Sequence, residues 1–207
     1  MGIFAIMEKN GSRREVGILL FDEFETLDVF GPVELFGVAR QEYRVSFYSE
    51  SGGIVKNTHG VAIESLPLDN IVTGVDVFLI PGGFGTRRDV QREDFIAKLK
   101  QIAAASTYVL TVCTGSALLA KTGLLDCRAA TSNRNAFEWA LGNGPKVNWD
   151  IKARWTVDGK YYTSAGVSAG LDMVLGFMSD RHGMAYAEEL ARQIEYHWHK
   201  DKSAYIF

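Results

Sequence analysis

The sequence predicts an α/β protein: a three-layer sandwich around a mainly parallel sheet, with a small antiparallel hairpin added. Three observations carry this. Short apolar runs alternate with longer stretches at helical spacing through the first two thirds of the 207 residues, the pattern of a parallel sheet covered on both faces. The strand-like runs are apolar almost throughout, as strands buried on two faces are. The pattern then shifts to short, aromatic-rich segments around Asp158-Gly159, a two-residue hairpin signal.

In chain order, Glu15-Val16-Gly17-Ile18-Leu19-Leu20-Phe21 reads as the first strand. A helix follows within 27–39. Gly31-Pro32 lets it start only near Gly31, because a proline's missing N–H is harmless in a first turn. Residues 43–49 alternate and are rich in aromatics, a second strand. Residues 76–80 form a third, ending in Pro81-Gly82-Gly83. Phe95, Leu99 and Ile102 lie at helical spacing within 89–105. Residues 108–112 form a fourth strand, and 116–120 a helix that Gly123 stops. Residues 147–149, 154–157 and 160–163 are short strands, and helices over 168–178 and 184–197 complete the chain. No linker, repeat or low-complexity segment divides it. Residues 15–207 therefore read as a single domain, long enough to bury about 70% of its unfolded surface, behind an N-terminal extension, 1–14.

Hydrophobic residues make up 47% and charged residues 23%, an ordinary globular composition that excludes a disordered or collagen-like chain. Lys and Arg number 22 against 25 Asp and Glu, a net charge of −3. With no basic excess to neutralise a phosphate backbone, a nucleic-acid partner is not expected. No run approaches the roughly 20 apolar residues of a membrane helix. In residues 2–14 the charges follow a short apolar run, the reverse of a signal peptide. The reading is a cytoplasmic protein with no membrane partner. Cys113 and Cys127 do not make a disulfide framework.

The chemistry concentrates in three segments. In Val109-Leu110-Thr111-Val112-Cys113-Thr114-Gly115-Ser116-Ala117 a strand runs into a Cys and a helix starts at once, as in a nucleophile elbow. Such a turn is expected to expose the thiol and lower its pKa through the helix N–H groups; the alternative is a buried Cys at a strand end. Gly82 and Gly83 follow a strand, so their N–H groups can approach a ligand. Beside Cys113, Gly83 and Thr114 would then supply two oxyanion-hole donors; the alternative is a Gly-rich turn. Asp28 lies among Leu27, Val29 and Phe30, where desolvation raises a carboxyl pKa into the range of an acid or base; the alternative is an N-cap-type residue near Pro32.

The other polar candidates are weaker. His59, His182, His197 and His199 lie away from the elbow in sequence and make no tetrahedral zinc set. Cys127 reads as structural, opening a strand in a turn-rich stretch. Trp139, Trp149, Trp155 and Trp198 read as core or interface residues.

Together, Leu27-Asp28-Val29-Phe30-Gly31-Pro32, Ile80-Pro81-Gly82-Gly83, Val112-Cys113-Thr114-Gly115 and Gly166-Val167-Ser168-Ala169-Gly170-Leu171-Asp172 resemble the ThiJ/PfpI group. The resemblance covers nearly the whole chain and implies the class I glutamine amidotransferase-like, flavodoxin-like fold. The chain looks most like the isonitrile hydratase branch, which has an Asp in the first motif and a Cys-Thr-Gly elbow. Proteases and deglycase-like members carry a Glu in the first region and usually a His directly after the Cys; here Thr114 follows. The bacterial hydratases carry a His near the position of Asn133. The resemblance implies hydration of an isonitrile to an N-formamide, with Cys113 as nucleophile, Asp28 as acid or base, and Thr114, Gly115, Gly82 and Gly83 around the substrate. It also implies a homodimer, a small-molecule substrate and no metal or organic cofactor. Two other functions remain open: another cysteine hydrolase, an amidase or peptidase, which needs a His near Cys113, and a non-catalytic redox or small-molecule sensor.

Overall fold

A computed structural model describes residues 12–203. Its strands are β1 (Arg14–Leu19), β2 (Tyr43–Ser49), β3 (Gly53–Lys56), β4 (Ala62–Pro67), β5 (Val77–Ile80), β6 (Tyr108–Val112), β7 (Ala129–Ala130), β8 (Asn148–Trp149), β9 (Trp155–Asp158) and β10 (Tyr161–Ser164). Its helices are α1 (Thr26–Val38), α2 (Thr86–Asp89), α3 (Glu93–Ala105), α4 (Gly115–Lys121), α5 (Phe137–Asn143), α6 (Ala169–His182) and α7 (Met184–Gln193). The main sheet has the order β3-β4-β2-β1-β5-β6-β10-β9. Every pairing from β4 across to β10 is parallel, and each edge closes with an antiparallel neighbour. The strands β7 and β8 form a separate parallel pair.

The sheet lies between two helical layers. The helices α1, α6 and α7 pack together on one face, and α2, α3, α4 and α5 contact one another on the other. All four residues of β5 are buried, as are Val109 to Val112 of β6. Such strands need an apolar residue at almost every position, which is why they were legible as unbroken runs.

The departures from expectation have local causes. Most of the 1–14 extension lies outside the described residues; Arg14 already belongs to β1, paired with Tyr43. Helix α1 starts at Thr26, not at Gly31. Glu25 caps it by accepting the Thr26 N–H at 3.1 Å, and Pro32 sits inside it. Pro32 has no N–H to offer the Asp28 carbonyl, but burial of Val29, Leu35 and Phe36 sustains the helix. The β3–β4 edge carries no sequence signal, since only Val55 and Ser65 of its residues are buried. The helix expected within 89–105 is α3, which starts at Glu93; Asp89 ends the short α2 before it. The hairpin turn falls on Gly159-Lys160, because Asp158 already pairs with Tyr161; Gly159 takes the positive φ of 60° that the turn requires. Helix α7 stops at Gln193.

The chain after α7 is tied down by one buried ion pair. Arg154 Nε donates to Asp172 Oδ2 at 2.6 Å. Asp172 Oδ1 accepts from the Tyr196 hydroxyl at 3.1 Å and the His199 N–H at 2.9 Å. Trp198 Nε1 donates to the Asp172 carbonyl, and Arg154 N–H to the Lys202 carbonyl. Removing one partner strands a buried charge, at about 3–5 kcal/mol. Asp172→Ala is therefore expected to lower the free energy of unfolding by that amount, read by urea unfolding. A loss below 1 kcal/mol would mean that the pair does not hold the C-terminal segment.

Candidate active site

Cys113 ends β6 with a φ of 58°, a left-handed conformation that a non-glycine residue adopts only when its surroundings hold it there. Its N–H lies 3.2 and 3.1 Å from the Ser164 and Ala165 carbonyls. Its own carbonyl accepts from the Ser116 hydroxyl at 2.9 Å and the Ser132 hydroxyl at 3.1 Å. The turn presses against the end of β5: a Cβ on Gly115 would stand 2.2 Å from the Ile80 carbonyl oxygen. No side chain fits there, which explains the glycine of the Cys-Thr-Gly elbow.

Asp28 reaches this turn from the first turn of α1 and is fully buried. Its Oδ2 accepts the Gly82 N–H at 2.9 Å, while Oδ1, also buried, has no hydrogen-bond partner among the described residues. Gly82 lies between acid and elbow. A Cβ on it would meet Thr114 N at 2.6 Å and Asp28 Oδ2 at 2.9 Å. Gly83 has a φ of 136°, and its N–H donates to Thr114 Oγ1 at 3.1 Å. The Thr86 hydroxyl of α2 donates to the Gly83 carbonyl at 2.7 Å and lies 3.1 Å from Thr114 Oγ1.

Burial pushes the Asp28 carboxyl up from 3.8 to about 7; the nearby Glu25 charge adds to the rise, while the Gly82 N–H and the Cys113 thiol work against it. The thiol moves opposite to the expectation from the elbow. Burial pushes Cys113 up to about 12 and the Asp28 charge adds to this, outweighing the Thr114 N–H and the side chains of Asn133 and Thr114. The Thr114 N–H does act as expected, but Cys113 is only 6% exposed, and the loss of water dominates. Acid and thiol are thus two buried groups: the Asp28 charge opposes ionisation of Cys113, whereas the thiol favours the Asp28 carboxylate.

The structure brings Cys113, Asp28, Thr114, Gly82, Gly83 and Gly115 together, but some roles differ from expectation. The Gly82 and Gly83 N–H groups are committed to Asp28 and Thr114 rather than directed at an oxyanion. The Thr114 N–H is the backbone group that favours the Cys113 thiolate. Asp28 is not an N-cap; Glu25 is. The histidines are engaged elsewhere: His59 with Thr26, His182 with the Tyr43 hydroxyl, His197 beside His199. Cys127 is exposed in a turn before β7 rather than opening a strand. Ser132 and Thr86, which also shape the site, sit in segments whose sequence carries no signal of proximity to Cys113.

The family model described as DJ-1/PfpI family matches residues 14–180. The chain is 28% identical to the isonitrile hydratase of Pseudomonas putida over 189 residues, covering 88% of this chain and 78% of that protein. It is also 28% identical to the HTH-type transcriptional regulator GbdR of Pseudomonas aeruginosa, over 91% of this chain but 52% of the regulator, so it spans about half of that relative. Among solved structures, a ThiJ/PfpI family protein from Pseudomonas syringae superposes with a TM-score of 0.80 at 26% identity, covering 95% of this chain and 81% of that one.

Two outcomes follow from the geometry. Because the folded carboxyl of Asp28 titrates near 7 and an unfolded one near 3.8, the folded state holds its proton more tightly. Stability from this group is full below about pH 4 and is lost as pH rises to 7. Asp28→Asn is expected to stabilise the protein at pH 8 by on the order of 4 kcal/mol and to be nearly neutral at pH 4. Thermal melts at both pH values measure this; an equal effect at both would refute the raised carboxyl. Second, limiting iodoacetamide at neutral pH is expected to label exposed Cys127 before buried Cys113, read by peptide mass mapping. Cys113 labelling first would show that the elbow donors outweigh burial.

Proposed function

The chain belongs to the DJ-1/PfpI family, and on that premise we propose that it is a cysteine-dependent hydratase of isonitriles. Cys113 is the nucleophile and Asp28 the proton carrier. The observation that carries this reading is the buried Asp28 carboxyl beside the thiol, with one oxygen unpartnered. The similarity to an isonitrile hydratase supports it. So does the identity of the groups acting on the sulfur, which are Asp28, Thr114 and Asn133 and include no His. An amidase or peptidase needs a base for the thiol and an acid for the leaving amine. An isonitrile has no leaving group, so one carboxyl suffices.

In the active form the pair carries one proton. The S–H proton passes to the Asp28 carboxylate as sulfur bonds the terminal carbon of the isonitrile. Asp28 returns that proton to the same carbon, giving a thioimidate. Water then adds across the C=N bond: its oxygen bonds carbon, one proton reaches nitrogen, and the Asp28 carboxylate mediates the transfer. The C–S bond breaks as the hydroxyl oxygen becomes a carbonyl. The departing sulfur regains the hydroxyl proton, and the N-formamide leaves. The sum is isonitrile plus water. The substrate is a small molecule, and we read the working unit as a cytoplasmic homodimer.

Below about pH 7 both groups are protonated, so turnover is expected to rise through pH 7 as Asp28 ionises. Asp28→Asn is expected to lose about 10²–10⁴-fold in turnover, and Cys113→Ala all of it. The assay is formation of N-formamide from an aryl isonitrile, followed by chromatography. Equal formation with Cys113→Ala, or none across aryl and alkyl isonitriles, would reject the hydratase. The similarity to GbdR favours a ligand-sensing role in that event; binding of the isonitrile without turnover would mark it.

A further inference from the structure

Three arginines follow the loop after β5, and two of them are neutralised. Arg88 grips Asp89 with Nε and Nη2, at 2.8 and 2.9 Å, and Arg92 grips Glu50. Arg87 has no carboxylate within ion-pair distance among the described residues. It is nonetheless held in place. Its guanidinium carbon lies over the half-buried Trp139 ring of α5, 4.5 Å from the centroid. Its Nη1 donates to the Gly83 carbonyl and to the Thr86 hydroxyl, each at 3.2 Å. The fully buried Thr86 hydroxyl lies 3.1 Å from Thr114 Oγ1 in turn. Two hydrogen-bond lengths in series therefore join Arg87 to the residue after Cys113. Nη1 spends both of its N–H groups on these contacts, while Nε and Nη2 have no partner among the described residues. They form the same edge of the guanidinium with which Arg88 holds Asp89, two parallel N–H groups at the spacing of carboxylate oxygens. The guanidinium also lies 5.9 Å from the ring of Phe84, a side chain that is 66% exposed. An exposed arginine ordinarily keeps its rotamer freedom. Here that freedom is given up and the charge stays uncompensated, as in a preorganised receptor for an anion.

We infer that Arg87 and Phe84 form a binding subsite for an aryl carboxylate. The Nε–Nη2 edge takes the carboxylate in two parallel hydrogen bonds, and the aromatic ring lies against Phe84. Resting on the hydratase reading, this names the preferred substrate as an aryl isonitrile that carries a carboxylate at the end remote from the isonitrile carbon. A para-substituted benzene ring spans a gap of the order of the one between Arg87 and the elbow. The charge matters as much as the reach. An anion entering this site meets the Asp28 carboxylate, so without a cation the neutral substrate of the same shape would be favoured. Arg87 reverses that order. Arg88 and Arg92 do not compete for the substrate, because each already holds a carboxylate of the chain.

The test uses the full chain and two probes of similar size and different charge, 4-isocyanobenzoate and its methyl ester. Steady-state formation of the N-formamide gives kcat/KM for each. The carboxylate is expected to exceed the ester at least tenfold, through a lower KM, since a hydrogen bond to a charged group is worth roughly tenfold or more in an equilibrium. Arg87→Met keeps an unbranched stem over Trp139 and removes the fork, and the ratio is expected to fall to about one or below. Arg87→Lys keeps the charge without the fork. It is expected to fall between the two and covers the case of a Met variant that does not fold. A parent ratio within twofold of one, or a ratio unchanged in a folded variant, would overturn the inference. Calorimetry separates the subsite from the reaction, because binding of 4-formamidobenzoate and its methyl ester to the Cys113→Ala chain needs no turnover. The carboxylate bound at least tenfold more tightly than its ester, with that difference lost on adding Arg87→Met, in a protein whose parent hydrates no isonitrile, rejects the hydratase and keeps the subsite. Hydration of both isonitriles at equal kcat/KM keeps the hydratase and rejects the subsite.

Discussion

Everything at the site depends on how closely three backbone segments approach one another. The loop after β5 is wedged between the start of α1 and the elbow after β6, with no space for a side chain at three successive contacts. A Cβ would come within 2.6 Å of Thr114 N at Gly82, 2.3 Å of the Glu23 carbonyl at Gly83, and 2.2 Å of the Ile80 carbonyl at Gly115. Glu25 N–H and the Gly82 carbonyl bond at 2.8 Å across the same gap, and Gly82 N–H bonds Asp28 in return. Loosening any one contact would separate acid and thiol, since Asp28 belongs to α1 and Cys113 to β6 and only the wedged loop fixes their separation. The parallel sheet makes the approach available, because β1, β5 and β6 are neighbours and end on the same side.

That approach has an energetic cost which the rest of the fold carries. A carboxyl and a thiol are buried together, each held in its neutral form by loss of water, the carboxyl also by the Glu25 charge and the thiol also by the Asp28 charge. The cysteine backbone sits in a left-handed conformation as well. Against this stand fully buried strands, and an aromatic cluster in which Phe177 packs against Phe36, Tyr43, Tyr108 and Tyr162 between the sheet and its α1–α6 layer. Such a distribution, with strain at the site and tight packing away from it, is common where a group must be kept in an unfavourable ionisation state for chemistry.

A second support reaches the site from the far end of the chain. Asp172 of α6 and Arg154 anchor the segment after α7, whose Lys202 carbonyl accepts the Arg154 N–H in the stretch leading into β9. The Arg134 guanidinium bonds the Lys152 and Ala153 carbonyls of that same stretch. The loop that holds Asn133 and Ser132 against the elbow is thereby braced on a stretch that the C-terminal segment covers. The last motif of the sequence, 166–172, thus contributes twice: Gly166 leaves room for the Asn133 amide, and Asp172 closes the chain over the loop beside it.

The central strands were legible because both of their faces are buried, which demands unbroken apolar runs, and β6 falls where its run placed it, as β2 falls where its alternation did. Asp158-Gly159 marked the hairpin to within one residue. The elbow was legible too, since few arrangements other than a tight turn place Cys113-Thr114-Gly115 between a strand and a helix. The edge strands β3 and β4 were not, because strands with one thin buried face need almost no apolar pattern. The start of α1 was misplaced because a proline's local preference was outweighed by burial of the helix face. The sequence named Asp28 and Cys113 and the upward direction of the carboxyl. It did not determine the direction of the thiol, nor that the Gly82 and Gly83 N–H groups would be spent on Asp28 and Thr114. These depend on desolvation and on contacts between segments 31 to 85 residues apart in sequence, and neither quantity exists until the chain has folded.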